Sequence, residues 1–259
     1  MNEHELESMR KVFNNLRRKI EPLSESPKIL KLRERVTKIR KDSIDNNEEL
    51  LQTARKSFKE NDIDLFYAED DKQARDILLN LINEEIASND NINPDEVFIA
   101  KSKSNTLREI NASEFLEENG MVIVDTDLGD RILQLKKGDN SPVHPTGPAS
   151  HLTVQDIADI INESMGLDLP AVPRPIMEAV REDVLSLLSK SYIGISGTNA
   201  IAAEEGSLVM VHNEGNISIV SLKDLHIIVA GIDKIVPTLE DAISVAKLET
   251  VYSWRPFSL

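Results

Sequence analysis

Apolar residues recur at helical spacing through the first sixty positions. Leu6, Met9, Val12 and Phe13 form one stripe and Ile29, Leu32, Val36 and Ile39 another, in a background dense with charge. Such spacing gives amphipathic helices, interrupted near 21–28 by Pro22, Ser24, Ser26 and Pro27. A third helix is predicted over 47–59. From 61 onward the pattern changes. Short apolar runs at 63–68, 97–100 and 121–124 read as strands, and helical patterns at 71–86 and 105–119 separate them. That alternation implies βαβ units and a parallel sheet. Six of the eleven prolines fall between 140 and 175, flanking a helical segment at 153–165, and mark a long crossing connection. A helix at 175–188 and a strand at 192–195 follow. The later runs at 208–211 and 227–230 come without long helices between them, which predicts buried strands and a partly antiparallel second half of the sheet, closed by a helix at 238–248. The expected organisation is a helical extension over 1–60 and an α/β domain over 61–259.

Composition narrows the partners. A formal charge of -15 repels phosphate backbones and anionic lipid, so nucleic acid and membrane surfaces are poor default partners. The chain has no cysteine, which excludes disulfides, cysteine nucleophiles and cysteine-held iron-sulfur clusters from it. The first residues lack a basic, then apolar, signal pattern. No apolar run approaches the roughly 20 residues that span a bilayer. Cytoplasmic residence without membrane insertion is the default expectation.

Candidate chemistry lies where polar residues close the apolar runs, because sites in open α/β sheets sit at strand ends. Lys101, Ser102, Lys103 and Ser104 follow a strand and precede a helix that includes Glu109. Lysine ammonium groups and the first N–H groups of that helix favour a carboxylate or phosphate, and the plain alternative is Ser104 as a helix N-cap. Asp125, Asp127 and Gly129 follow the next strand. The two carboxylates suit a substrate hydroxyl or Mg²⁺, and equally a turn, and no metal is expected. Gly194, Ser196, Gly197, Thr198 and Asn199 form a small-residue turn leading into 200–205, which reads as a helix start. It matches neither the dinucleotide nor the P-loop pattern. Glu204, beside Gly206 and Ser207, is the candidate base or nucleophile, with solvent exposure as the alternative. His151, His212 and His226 lack zinc-helix spacing, and no serine-hydrolase elbow occurs.

Taken together these residues resemble the LUD-domain family, in its lactate-utilisation branch, from about Leu32 to Tyr252. The motifs that carry the resemblance are Lys101 to Ser104 with Glu109, Asp125 to Gly129, Gln134, Pro148 and Ala149 with His151, and Gly194 to Gly197 with Asn199. They continue with Ala203 to Ser207, Asn213, Glu214, Gly215 and Asn216, His226, and Gly231 to Pro237. The resemblance implies a three-layer α/β/α sheet like that of the CoA-transferase, ribose-phosphate isomerase and formyltetrahydrofolate cyclo-ligase group. It also implies a part in oxidising L-lactate to pyruvate within an iron-sulfur system, whose clusters partner subunits must supply here. Substrate-binding expectations fall on Lys101, Ser102, Lys103, Ser104, Glu109, Asp127, Gly129, His151, Ser196, Gly197, Asn199, Gly206, Ser207, Asn213, Glu214, Gly215 and Asn216, with a small anion as ligand and a homo-oligomer as one arrangement of the chain. The family pattern has a further Gly-Pro-Ser-type turn soon after Tyr252, where this chain reads Ser253 to Leu259. A CoA-, folate- or phosphate-handling enzyme of the same fold group, or a non-catalytic interaction subunit, are the alternatives.

Overall fold

The computed structural model describes residues 3–136, 147–212 and 215–253. Three helices open the chain: α1 (Glu3–Ser24), α2 (Pro27–Asp45) and α3 (Asn47–Glu60). After α4 (Asp71–Ser88) comes β1 (Val97–Lys101), then α5 (Asn105–Glu109), α6 (Ala112–Glu118), β2 (Met121–Asp125) and α7 (Leu128–Leu135). Next are α8 (Val154–Met165), α9 (Pro173–Leu188), β3 (Ile193–Ser196), β4 (Ala200–Ala202), β5 (Ser207–Val209) and α10 (Asn216–Val220). The last elements are β6 (Leu225–Ile228), a 3-10 turn Ile232–Lys234, β7 (Ile235–Val236) and α11 (Leu239–Tyr252).

Four parallel strands form the main sheet in the order β2-β1-β3-β6. Alternate side chains face opposite layers. Ile99, Ile123, Ile193 and Ile195 pack with Leu78 and Ile82 of α4, Leu107 of α5 and Leu116 of α6. Phe98, Ala100 and Val124 pack on the other face with Leu188 of α9 and Val220 of α10. The result is an α/β/α sandwich. A further apolar cluster, with Ile132, Ala158, Ile161, Ile176 and Val180, joins α7, α8 and α9 at its side.

The latter half forms a second sheet of its own. Its order is β5-β4-β7, with β4 antiparallel to β5 and parallel to β7. The antiparallel pairing expected within one sheet is therefore present, but in this separate sheet, and β6 joins the main sheet in parallel. One face of the small sheet packs with Val36 of α2 and Ala242 and Val245 of α11. The other packs with Ala54 and Phe58 of α3. Two helices of the amino-terminal prefix thus cover opposite faces of the second sheet.

Several local expectations are corrected. Residues 63–68 form no strand, because the Ile63 N–H donates back to the Phe58 carbonyl at the end of α3 and Phe66 and Tyr67 face solvent. The helix expected over 105–119 is two helices. Asn111 adopts a left-handed conformation with φ 50°, and the Ile110 carbonyl accepts from Arg75. Residues 200–205 begin as strand β4, since Ala200 to Ala202 are fully apolar and pair on both sides. The strands at 208–211 and 227–230 are Ser207–Val209 and Leu225–Ile228, both half-buried rather than buried.

Candidate functional site

The order β2-β1-β3 sends the chain to opposite sides after β1 and β3, so the loops at their carboxyl ends part and open a crevice, as open α/β sheets do at such a switch point. The Ser102 N–H donates to the Ile195 carbonyl at 2.9 Å and holds the two loops together at their roots. Just beyond, the backbone of Gly197 passes so near Ser104 that a Cβ at Gly197 would lie 2.6 Å from Ser104 Oγ. Any side chain at Gly197 would have to displace Ser104. Ser104 Oγ accepts the Leu107 N–H and caps α5, as its position before the helix predicts.

β3 and β6 both continue into the second sheet, as β4 and β7, and a cavity of about 560 Å³ lies at this crossing. Lys103, Ser104, Asn105, Thr106, Glu109 and Asp127 line it from the carboxyl end of the main sheet, Gly197, Thr198, Asn199 and His212 from the loops beyond β3 and β5, and Asn216, Asp233 and Lys234 from the start of α10 and the 3-10 turn. Glu249, Tyr252 and Ser253 close it from the end of α11. Asn199 is fixed at both ends of its amide, donating to Glu249 Oε2 at 2.5 Å and accepting the Val211 N–H at 2.6 Å. Arg40 of α2 donates to the Asp233 carbonyl and, at 3.5 Å, to that of Asn199.

Of the residues singled out in the sequence, Lys103, Ser104, Glu109, Asp127, Gly197, Asn199 and Asn216 share this cavity. The other described ones do not line it. Lys101 forms an ion pair with Asp125 behind the lining, and Ser102 is fully buried. Gly129 donates its N–H to Asp127 Oδ1 and faces the ring of Pro148. His151 is fully buried just ahead of α8. Ser196 is buried, with Oγ 2.8 Å from His226 Nε2, and burial lowers the pKa of that imidazole. Gly215 precedes α10 with φ 76°. Asn213 and Glu214 lie outside the described residues.

The acidic glycine turn sits at the other end of β4, about 15 Å of extended chain from Asn199. Glu204 is exposed, and its N–H donates to the Pro237 carbonyl. Glu205 Oε2 accepts the Leu239 N–H at the start of α11. Gly206, at φ +58°, lies against the Ser57 backbone, and Asn61 Nδ2 donates to the Glu205 and Gly206 carbonyls. The segment from Glu204 to Ser207 therefore clamps α3 to the second sheet. It does not meet the lysine-serine loop.

Along and behind the cavity wall three cations of the segment from β1 through α5 face three carboxylates of the segment from β2 into α7 in the same order. Lys101 pairs with Asp125, Lys103 Nζ lies 3.9 Å from Asp127, and Arg108 Nη2 lies 3.4 Å from Asp130. Burial, with the charges of Asp125 and Asp127, raises the Asp130 pKa to about 6 against the pull of Lys101 and Lys103. Burial also raises that of Glu117 on α6, where Glu114 and Asp125 add to it. Gln134 donates to the Ile123 carbonyl at 2.6 Å and sits beside the Arg131–Asp183 ion pair, tying α7 to β2 and α9. Among the described residues no group of three His, Cys, Asp or Glu side chains is placed to hold a metal. No helix there is long and apolar enough to cross a membrane.

Sequence reasoning missed His212, Asp233, Lys234, Glu249 and Tyr252 as cavity residues, whereas Thr198 belongs to the small-residue turn it singled out. Asp233 and Lys234 lie in the Gly231 to Pro237 motif, which was the one signal for them. Nothing local marks Glu249 or Tyr252, since they read as the last turn of a closing helix.

Fold and site together define a parallel α/β protein with a polar, charge-lined cavity at the carboxyl ends of its central strands. The LUD domain model matches residues 51–256, and the chain belongs to the LUD-domain family. It is 33% identical over 204 residues to lactate utilization protein B of Geobacillus thermodenitrificans, covering 78% of this chain and 41% of that one. It is 39% identical over 144 residues to lactate utilization protein B of Geobacillus kaustophilus, covering 55% and 30%. Over 148 residues it is 36% identical to an Escherichia coli protein described as an uncharacterized electron transport protein, YkgF, covering 55% and 30%. The chain thus spans less than half the length of these relatives. No solved structure matches it.

Proposed function

We propose that this chain is the ligand-binding LUD unit of a lactate-utilisation system, and that its cavity holds a small hydroxy acid. The convergence of Lys103 and Ser104 with Gly197 and Asn199 on one cavity carries this reading. The lining offers the cations of Lys103 and Lys234 against the carboxylates of Glu109, Asp127, Asp233 and Glu249. A plain anion meets net repulsion there. A ligand that pairs its carboxylate with Lys103 and donates a hydroxyl to Asp127 or Glu109 uses both signs of charge, which describes a 2-hydroxy acid such as lactate. Redox chemistry is assigned to an iron-sulfur partner subunit, because the chain has no cysteine and one relative bears an electron-transport name. Cytoplasmic residence goes with that reading. Glu204, remote from the cavity, receives no role in it.

Calorimetric titration with sodium lactate, pyruvate and acetate tests the proposal. Lactate should bind more tightly than acetate, and Lys103→Gln should weaken it about tenfold, the worth of one charge-assisted hydrogen bond. Absence of heat from all three, with partner subunits present, refutes it.

The cavity volume favours a second reading. About 560 Å³ falls in the range of roughly 300–1,000 Å³ that holds drug-sized ligands, far more than a three-carbon acid fills. On that reading the chain handles a larger phosphate, folate or CoA substrate, as in the CoA-transferase-like fold group. Such a substrate should then bind without any redox partner.

A further inference from the structure

The paired charges along and behind the cavity wall form a ladder whose rungs do not all behave alike. Its cations, Lys101, Lys103 and Arg108, come from β1 and the segment leading through α5, and its carboxylates, Asp125, Asp127 and Asp130, from β2 and the start of α7. Lys103 and Asp127 alone among these six line the cavity. Their rung is also the loosest, at 3.9 Å, so Lys103 is the cation a ligand can recruit. Asp127 is held by the backbone: its Oδ1 accepts the N–H groups of Gly129 and Asp130. Asp130, one turn on, is shielded from water, its side chain 10% exposed, and faces Arg108 at 3.4 Å.

We propose that binding of a small organic anion at Lys103 draws a proton from solvent onto Asp130, so that anion and proton enter the bound state together; the inference rests on the reading of the cavity as an anion site. An anion on Lys103 cancels the field with which that lysine stabilises Asp127 and Asp130, and brings a further negative charge beside them. Asp127 is pinned as a hydrogen-bond acceptor by the N–H groups of Gly129 and Asp130. Lys101 is committed to Asp125, which Glu117 of α6 already crowds. Asp130, buried among Asp125 and Asp127 with Lys101, Lys103 and Arg108 as its facing cations, is the group that yields. Its carboxyl already stands near pH 6, so a modest further rise crosses neutrality. The linkage sign is fixed: a ligand that raises a carboxyl pKa binds more tightly as pH falls. Affinity should weaken by up to about tenfold per pH unit between about pH 6 and the raised pKa of the bound state, the slope of one linked proton, and level off on either side of that window.

His212 also lines the cavity and is the competing proton acceptor. Calorimetry with sodium lactate at pH 7 in buffers of different ionisation enthalpy measures the uptake directly. The expected result is proton uptake in the wild type and in His212→Gln, and none in Asp130→Asn. Difference infrared spectra of the wild type should gain a protonated-carboxyl band on adding lactate, a readout that does not depend on any variant folding. Binding heat independent of buffer, or uptake lost in His212→Gln and kept in Asp130→Asn, overturns the coupling and leaves the anion site standing. Absence of binding by lactate, pyruvate and acetate at both pH 5.5 and pH 7 overturns the anion site and the coupling with it.

Discussion

Ser104 and Gly197, 93 positions apart in the chain, touch so closely at the cavity that the space for a single methyl group is missing between them. This contact joins the loop after β1 to the crossing from β3 into β4, and it makes one wall from two segments. Gly197→Ala forces Ser104 Oγ from 2.6 Å, at the expense of its bond to the Leu107 N–H. The loss of the cap and the displacement should cost about 1–2 kcal/mol. Urea unfolding measures it, and lactate affinity should fall in the same variant, because the displaced residue lines the site. Unchanged stability would mean that the loops are not in contact.

Asn199 bridges α11 and the exit from β5 through Glu249 and the Val211 N–H. In Asn199→Ala the Val211 N–H and the Glu249 carboxylate both lose a half-buried partner. A loss of about 1–3 kcal/mol in stability is expected. Asn199→Asp should be no better, since it sets a second carboxylate against Glu249. A thermal shift assay on the pair of variants distinguishes this from loss of side-chain volume alone.

Gly206→Ala meets two penalties at once, a left-handed backbone and a Cβ 2.8 Å from the Ser57 carbonyl group. A decrease of about 2 kcal/mol or more is expected, with increased protease cutting between α3 and α4 as α3 loosens. Lactate affinity in the surviving folded fraction should stay at the wild-type value, because this turn lies away from the cavity. A specific loss of binding would instead restore Glu204 and its neighbours to the site.

Asp130 predicts a pH effect on folding as well. Its folded pKa of about 6 stands above the ordinary 3.8, so the folded state holds the proton more tightly than the unfolded chain. The group costs nothing below about pH 4, and stability falls as pH rises through 6, by at most about 3 kcal/mol. Asp130→Asn removes this dependence. Urea unfolding at pH 5 and pH 7.5 should show the variant gaining on the wild type at the higher pH, and equal differences at both values would exclude Asp130 as the titrating group.

Helix α2 offers a test of how the second sheet is supported. Val36 is buried with Ala200, Ala202, Val236, Ala242 and Val245. Val36→Asp places a carboxylate in that cluster and should cost about 3 kcal/mol or more, through burial of an unpaired charge. If α2 were a detachable prefix, the change would cost little.

The sequence by itself determined the helices and strands whose side chains repeat with a clear period. It also determined the βαβ character of 97–125, the cap at Ser104, and the polar residues at strand ends, because these depend on neighbours within a few positions. The ordered motifs sufficed to place the chain in its family. Only the tertiary structure decided that β3 and β6 run on into a second sheet, that α2 and α3 cover it, and that Glu249 and Tyr252 face the cavity. It also separated Lys103 from Glu204. A strand carries the same alternation whichever sheet it joins, and a carboxylate reads alike at either end of β4. Which groups meet is set by long-range packing of Ala200, Ala202 and Val236 against Val36 and Val245, and no local period records that.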